Sequence, residues 1–379
     1  MVDPTGAIDG ALCQVVSIGF NRAAGSRTAL TTVSSSHALR RPIVGCYRPE
    51  QSAGTVLTPI HGHEVENPMT ERVDYLVTGA GGGIGSVSRS VVEILIDAGA
   101  TVRAMVHRDD ERANVLRSRG ARVVVGDLTE PRDVVAAMDG VRRMFFNMSV
   151  APSYLEAATI VCAVARDRAD LETIVNMSQM TVSQMTISST EESTQQRLHW
   201  LAEQVMDWSG LPVTHVRPTV FLDNPLFTFL AAPSVRDRHV LALPFGAGRT
   251  SPIAASDVAR VVAELLLHPA AHDEHVYELT GPEVLTIDGL AERYSRALGH
   301  HVLGADIAYD DWFERVLVPI GLPEHTRQHI ATMARLHRAD RYDRATDDVA
   351  TVTGRPAQTV DDFVAAHRDM FSTTEESDS

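Results

Sequence analysis

Two regimes of hydrophobic patterning divide the chain. From Val73 to Pro218, short apolar runs alternate with longer stretches in which apolar positions recur every three or four residues. The runs at 73–78, 101–106, 121–128, 141–148, 171–178 and 211–218 predict strands. The stretches at 84–99, 110–120, 153–168 and 191–209 predict helices. The first of these puts Val87, Val91, Ile94, Leu95 and Ala98 on one face and stops at Gly99. In the fourth, Leu198, Leu201, Ala202 and Val205 form the inward stripe, and His199 lies beside it. Strand and helix alternating at this pace imply right-handed crossovers and a parallel, doubly wound α/β sheet of Rossmann type.

Beyond Pro218 the alternation loosens. A strand and turn at 239–246, a helix at 255–269 capped by Ser256, a strand at 275–281 and a helix at 286–299 with Thr286 at its N-cap are predicted. Further helices run to Phe371, the last opening with Thr359 and Asp362 at capping-box spacing. The expected organisation is a dinucleotide-binding domain over 69–218, a small, mostly helical lobe over 219–371, and a disordered acidic tail over 372–379. Residues 1–68 carry Ser, Thr, Gly and Pro without a sustained period and read as a disordered extension, with Met69 as a natural start. The rival for this stretch is a functional arm. His61 and His63 within it read as solvated side chains, so no metal is expected.

Composition narrows the function. The net charge of −15 argues against a nucleic-acid partner, since a chain this acidic does not grip phosphate backbones. All 34 basic residues are arginine, which excludes a Schiff-base lysine and a P-loop lysine. Three cysteines, none in a CxxC pair, signal neither zinc nor a redox dithiol and fit a reducing cytoplasm. No apolar run is long enough to span a membrane, and no membrane partner is expected.

The chemistry concentrates in "YLVTGAGGGIG", where Gly79, Gly82 and Gly85 directly follow a strand and open a helix. Gly79 permits the tight turn, Gly82 lets a pyrophosphate approach the backbone, and Gly85 lets the helix pack close to the sheet. Ala80, Gly83 and Ile84 complete the loop, and the helix N-terminus offers unpaired N–H groups to phosphate. At the tip of the second strand, where NAD-binding folds place a carboxylate for the ribose 2′-OH, stand His107 and Arg108. A cation there suits a 2′-phosphate, so NADP(H) is expected over NAD(H). A slip of one residue would instead give Asp109 the ribose role. Asp127 ends the third strand, with Leu128 next to it, and is positioned to accept from the adenine amino group. Asn147 and Met148 end the fourth strand beside the cofactor cleft.

These segments, with "IVNMSQM", "SGLPVTHVRPTVF" and "SPIAASDVARVV", resemble the NmrA-like NAD(P)-binding branch of the atypical short-chain dehydrogenase/reductases over residues 73–371. The resemblance implies a Rossmann core, a small C-terminal lobe and a substrate cleft between them. It adds Met177 and Pro218 to the cofactor contacts and Phe221 and Asn224 to the substrate side. The family holds NADPH-dependent reductases, quinone reductases among them, and non-catalytic dinucleotide sensors that regulate partner proteins. Its catalytic members use a Tyr-x-x-x-Lys pair. Here the tyrosine position holds Gln195 and the lysine position His199, while Ser178 matches the serine at the end of the fifth strand. The expected function is therefore an NAD(P)H-dependent oxidoreductase, monomeric or homodimeric, acting on quinone-like or other small electrophilic substrates, with Ser178 and His199 as its catalytic candidates. The alternative is a non-catalytic NADP(H) sensor.

A chain shortened to begin at Met69 is expected to fold and bind dinucleotide like the full chain. A loss of several degrees in melting temperature would make residues 1–68 structural.

Overall fold

The computed structural model describes residues 74–82, 87–272 and 275–372. The 1–68 extension lies outside them, as does all of the acidic tail but Ser372. The first half of the described chain alternates strictly. It runs β1 (Tyr75–Val77), α1 (Val87–Asp97), β2 (Val102–Val106), α2 (Glu111–Ser118), β3 (Arg122–Val125), α3 (Pro131–Met138), β4 (Arg143–Phe146), α4 (Tyr154–Arg168), β5 (Thr173–Met177), α5 (Thr194–Trp208) and β6 (Val213–Pro218). The second half comprises α6 (Ala232–Arg238), β7 (Val240–Leu243), α7 (Ala255–Leu267), β8 (Val276–Leu279), α8 (Ile287–Leu298) and β9 (Leu303–Asp306). It ends with α9 (Tyr309–Trp312), α10 (Glu324–Arg338), α11 (Asp348–Thr353), α12 (Val360–Ala366) and α13 (Arg368–Phe371).

Seven strands form one parallel sheet in the order β3-β2-β1-β4-β5-β6-β8. From β1 the chain winds outward through β2 and β3, then returns to lay β4 against the other side of β1, with Tyr75 opposite both Val102 and Arg143. The reversal leaves a crevice above the C-terminal ends of β1 and β4, the place where open α/β sheets bind ligands. Both sheet faces are covered, which is why the central strands are apolar throughout rather than alternating. On one face α1 and α7 bury Val91, Val92, Leu95, Val258 and Val262. On the other, α3, α4 and α5 bury Met138, Tyr154, Val161, Cys162 and Met206 against Met144 and Phe146. A third cluster, with Phe227, Phe245, Tyr294, Trp312, Leu336 and Phe363, fills the helical lobe.

The structure differs from the sequence pattern in three respects. The helix and strand expected in the lobe, α7 and β8, return to the sheet: α7 packs on α1, and β8 pairs with β6 from His215↔Val276 to Pro218↔Leu279. Helix α3, eight residues with proline in its first turn, was too short to stand out as a period. Ser256 does not cap α7. Ala254 occupies the cap position, and Asp223 Oδ2 accepts the Ala255 amide at 2.9 Å in place of a local cap. Thr286 and Thr359 do cap their helices, accepting from the Gly289 and Asp362 amides.

One ion pair is largely buried between α5 and β6. Glu203 on α5 is 1% exposed and receives two hydrogen bonds from Arg217 on β6, at 3.0 and 2.5 Å. Removing one member strands the other in a low-dielectric site. Glu203→Ala is expected to lower the unfolding free energy by about 3 kcal/mol, since Arg217 keeps some solvent contact. An unchanged urea midpoint would show that the pair contributes no stability.

Candidate active site

The tip of β1 is tied to the tip of β4. Thr78 Oγ1 donates to the Asn147 carbonyl at 2.8 Å and accepts the Asn147 amide at 2.9 Å. Asn147 Nδ2 then donates to Ser88 Oγ on α1 at 2.9 Å. This clasp leaves no room for a side chain at the next residue. Gly79 has φ +68°, and a Cβ there would lie 2.8 Å from the Asn147 carbonyl oxygen. Only glycine fits both the dihedral and the gap. Gly82 closes the turn by donating to the Gly79 carbonyl at 3.1 Å, and Ala80 is fully buried beneath it. Gly83, Ile84 and Gly85 lie outside the described residues. Arg89, which the sequence pattern did not single out, reaches from α1 to donate to the Gly82 carbonyl at 3.1 Å.

Beside this turn, across the tips of β2 and β3, opens a cavity of ≈ 420 Å³. Five sequence candidates line it: Gly79, His107, Asp127, Leu128 and Met148. Thr129, Ser149 and Ser153 line it too, from the loops after β3 and β4, with Glu156 from the first turn of α4. Asp127 Oδ1 accepts the Thr129 amide at 2.8 Å and its hydroxyl at 2.7 Å, and these bonds hold the carboxyl below its usual range. The other Asp127 oxygen stands 3.9 Å from His107 Nδ1. Arg108 is exposed, outside the lining, with no hydrogen bond or ion pair among the described residues. Asp109 is engaged by Arg117 at 2.7 Å, and Asp110 caps α2 while binding Arg112.

The tyrosine–lysine position lies at the other end of the crevice, on α5. The inward face there is the line Gln195, His199, Ala202 and Met206, while Leu198, Leu201 and Val205 are only half-buried. His199 is thus on the buried face, 9% exposed, and not beside it as the apolar pattern implied. Polar residues face inward because partners meet them. Gln195 Oε1 accepts the Ala151 amide at 3.2 Å and His325 Nε2 at 2.7 Å. A backbone amide can only donate, so this atom is the oxygen, and His325 donates from Nε2. Gln195 Nε2 then donates to His199 Nε2 at 3.2 Å, which leaves the imidazole proton on Nδ1.

The Met177 carbonyl near the ring already accepts the Tyr154 hydroxyl at 2.8 Å. His199 Nδ1 and Ser178 Oγ are both buried without a hydrogen-bond partner among the described residues. Burial, reinforced by nearby His329, pushes His199 down to about 3 against the Met177 carbonyl, so the ring is neutral at pH 7. The Tyr154 ring lies 4.2 Å from that of His199, tilted by 48°, but burial raises its phenol far above the physiological range and its proton is committed. Met177 and Pro218 are buried at the ends of β5 and β6. Phe221 is half-buried in a bridge with Ile253, and Asn224 spends its Oδ1 on the Leu226 amide at 2.9 Å. No hydrogen bond among the described residues joins either one to Ser178 or His199.

A glycine turn at the reversal point, an adenosine-sized cavity on one side and two orphaned buried donors on the other fit a bound dinucleotide. The family model for NAD(P)H-binding proteins matches residues 79–269, and the chain belongs to this family, within the NmrA-like NAD(P)-binding proteins of the atypical short-chain dehydrogenase/reductase class. It is 30% identical to an NAD(P)H azoreductase of Xenophilus azovorans over 76% of this chain and 97% of that one. The fold is that of NADPH-dependent quinone oxidoreductase QOR2 from Escherichia coli in complex with NADPH, at TM-score 0.66 and 20% identity over 78% of this chain and 99% of that one. It is equally that of NmrA, a negative transcriptional regulator in complex with NADP, at TM-score 0.65 and 17% identity over 78% and 95%. No helix among the described residues is long and apolar enough to cross a membrane.

The buried histidines give the fold an acid limit. His199 and His337 are held near 3 and His329 near 4 by burial, against 6.5 for an ordinary imidazole. Their neutral forms are favoured in the folded state, so the stability they permit is complete above pH 6.5 and is lost as pH falls toward the folded values. Between pH 7 and 5 the unfolding free energy is expected to drop by roughly 3–6 kcal/mol from these three rings. His337→Phe, which preserves the stack between Phe245 and Tyr342, is expected to remove about a third of that drop in urea titrations. An equal drop in the variant would exclude His337 as a source.

Proposed function

We propose that this protein is an NAD(P)H-dependent reductase of quinone-like and other conjugated electrophiles, working without a tyrosine–lysine pair. The observation that carries this is a dyad position with two orphaned hydrogen-bond donors and no acid. Gln195 cannot give up a proton, and His199 is neutral at pH 7. Ser178 Oγ and His199 Nδ1 can orient an acceptor, but neither protonates a strong base. When bound, the nicotinamide supplies hydride. A ketone that takes hydride becomes a basic alkoxide, for which a placed proton donor is worth ~10²–10⁴-fold in rate. A hydroquinone anion is far less basic, and water suffices to protonate it. Relatives whose names record azo and quinone reduction support this division, since both substrate types are conjugated electron acceptors.

The reading extends to the cofactor, with NADP(H) preferred over NAD(H). Both carboxylates that might hold a ribose 2′-OH are engaged, Asp109 by Arg117 and Asp110 by Arg112, while the Arg108 fork is available to a 2′-phosphate.

Purified protein is expected to oxidise NADPH with a panel of benzoquinones and to leave cyclohexanone at least ~10²-fold slower. His199→Ala is expected to lose quinone turnover while keeping NADPH affinity. Brisk reduction of cyclohexanone would reveal a proton donor and overturn the proposal. Tight NADPH binding with no turnover on any acceptor would favour the sensor that the likeness to NmrA suggests. Arg108→Ala is expected to weaken NADPH more than NADH by ~1–3 kcal/mol in calorimetric titration, and equal losses would remove Arg108 from cofactor choice.

A further inference from the structure

A second cavity, ≈ 200 Å³, lies in the helical lobe between α9 and α10. One wall is aromatic. Tyr309 and the following Phe313 stand nearly parallel, 20° apart with ring centroids at 6.1 Å, and both are only half-buried. The other wall is the polar line of α10, with Gln328, Thr332 and Arg335 one turn apart and Arg327 beside Gln328. Its charges are unequal. Arg327 is neutralised by Glu324 in the preceding turn. Arg335 has no carboxylate partner among the described residues: its guanidinium donates to Thr332 Oγ1 at 3.1 Å and lies against the Tyr309 phenol. In a chain of net charge −15, Arg335 thus stands beside two aromatic rings without a carboxylate partner among the described residues, the one carboxylate in the lining, Glu324, being paired with Arg327.

We propose that this cavity binds a small aromatic anion, an aryl sulfonate or aryl carboxylate, with its ring on Tyr309 and Phe313 and its charged group on Arg335. A planar fork matches the paired oxygens of such a group, and the ring supplies the apolar contact that an inorganic anion lacks. Buried Thr332 holds the Arg335 fork in place, and Gln328 lines the cavity one turn before it. The same helix carries His325 to Gln195, and Gln328 Oε1 accepts the Thr194 amide at the first turn of α5 at 3.1 Å. A ligand here therefore grips the element that braces the dyad position, without entering the dinucleotide crevice.

The test is calorimetric titration of benzenesulfonate into the full-length protein, with sodium sulfate and benzyl alcohol as the anion-only and ring-only probes. Benzenesulfonate is expected to bind at about 1 mM or tighter, and each partial probe about ten-fold more weakly. Arg335→Gln, at an exposed site, is expected to keep the melting temperature and weaken benzenesulfonate about ten-fold or more. Tyr309→Leu is expected to weaken it as well, and if that variant fails to fold the arginine variant still decides. The proposal is overturned if wild-type protein does not bind benzenesulfonate, if Arg335→Gln binds it equally, or if sulfate binds as tightly. No dinucleotide or turnover enters the measurement, so its failure leaves the reductase reading untouched.

Discussion

The site depends on the junction where Thr78 and Asn147 clasp the tips of β1 and β4. Neighbouring strands whose chain runs off in opposite directions leave a crevice, and the clasp sets its floor. Because the Asn147 carbonyl occupies the space a Cβ would need and the turn takes a left-handed φ of +68°, only glycine can stand at residue 79, at the edge of the crevice. The cavity at β2 and β3 lies on one side of this point and the orphaned donors at β5 on the other. A dinucleotide reaches both only by crossing the glycine turn.

The helical lobe reaches the core through polar contacts directed at the start of α5 and the segment before it. His325 holds Gln195, His329 hydrogen-bonds Ser193 at 2.8 Å, and Arg341 binds the buried Glu192 at 2.8 Å. This arrangement explains why α5 turns a line of amides and imidazole inward. In an isolated helix that face would be the solvated one; here Ser193 and Gln195 meet histidines carried in from the lobe, Gln196 meets Thr181 and Glu203 meets Arg217 from the core, and His199 Nδ1 is left without a partner among the described residues. The tyrosine–lysine position is thus not an empty hole. The position was filled by a glutamine whose oxygen serves two donors and whose nitrogen serves a third group.

The absence of lysine leaves its mark on the whole structure. Wherever a cation is needed it comes as a planar fork, and several of these forks engage carboxylates in pairs. Arg217 does so with buried Glu203, and Arg293 with Glu283 at 2.7 Å through both nitrogens. An arginine side chain keeps its charge on burial where a lysine would tend to lose it, so such pairs act as fixed struts between elements.

Much of the architecture was legible in the order of residues. A strand, a glycine turn and an amphipathic helix are local, and their spacing carries the Rossmann crossover and the place of Gly79, His107, Asp127 and Met148 around the crevice. Caps at Thr286 and Thr359 were readable because a cap acts within one turn. What tertiary structure alone decided is of longer range. The return of β8 to pair with β6 depends on a sheet edge that no local period encodes. Asp223, not Ser256, satisfies the start of α7 because a residue 32 positions away is brought alongside. His199 was assigned to a helix flank by its polarity, yet it is buried, because Gln195 accepts from a histidine 130 residues further on and the two helices close over it. Hydrophobic periodicity tells which face avoids water only when polar side chains have no partner elsewhere, and here the partners were supplied by the other half of the chain.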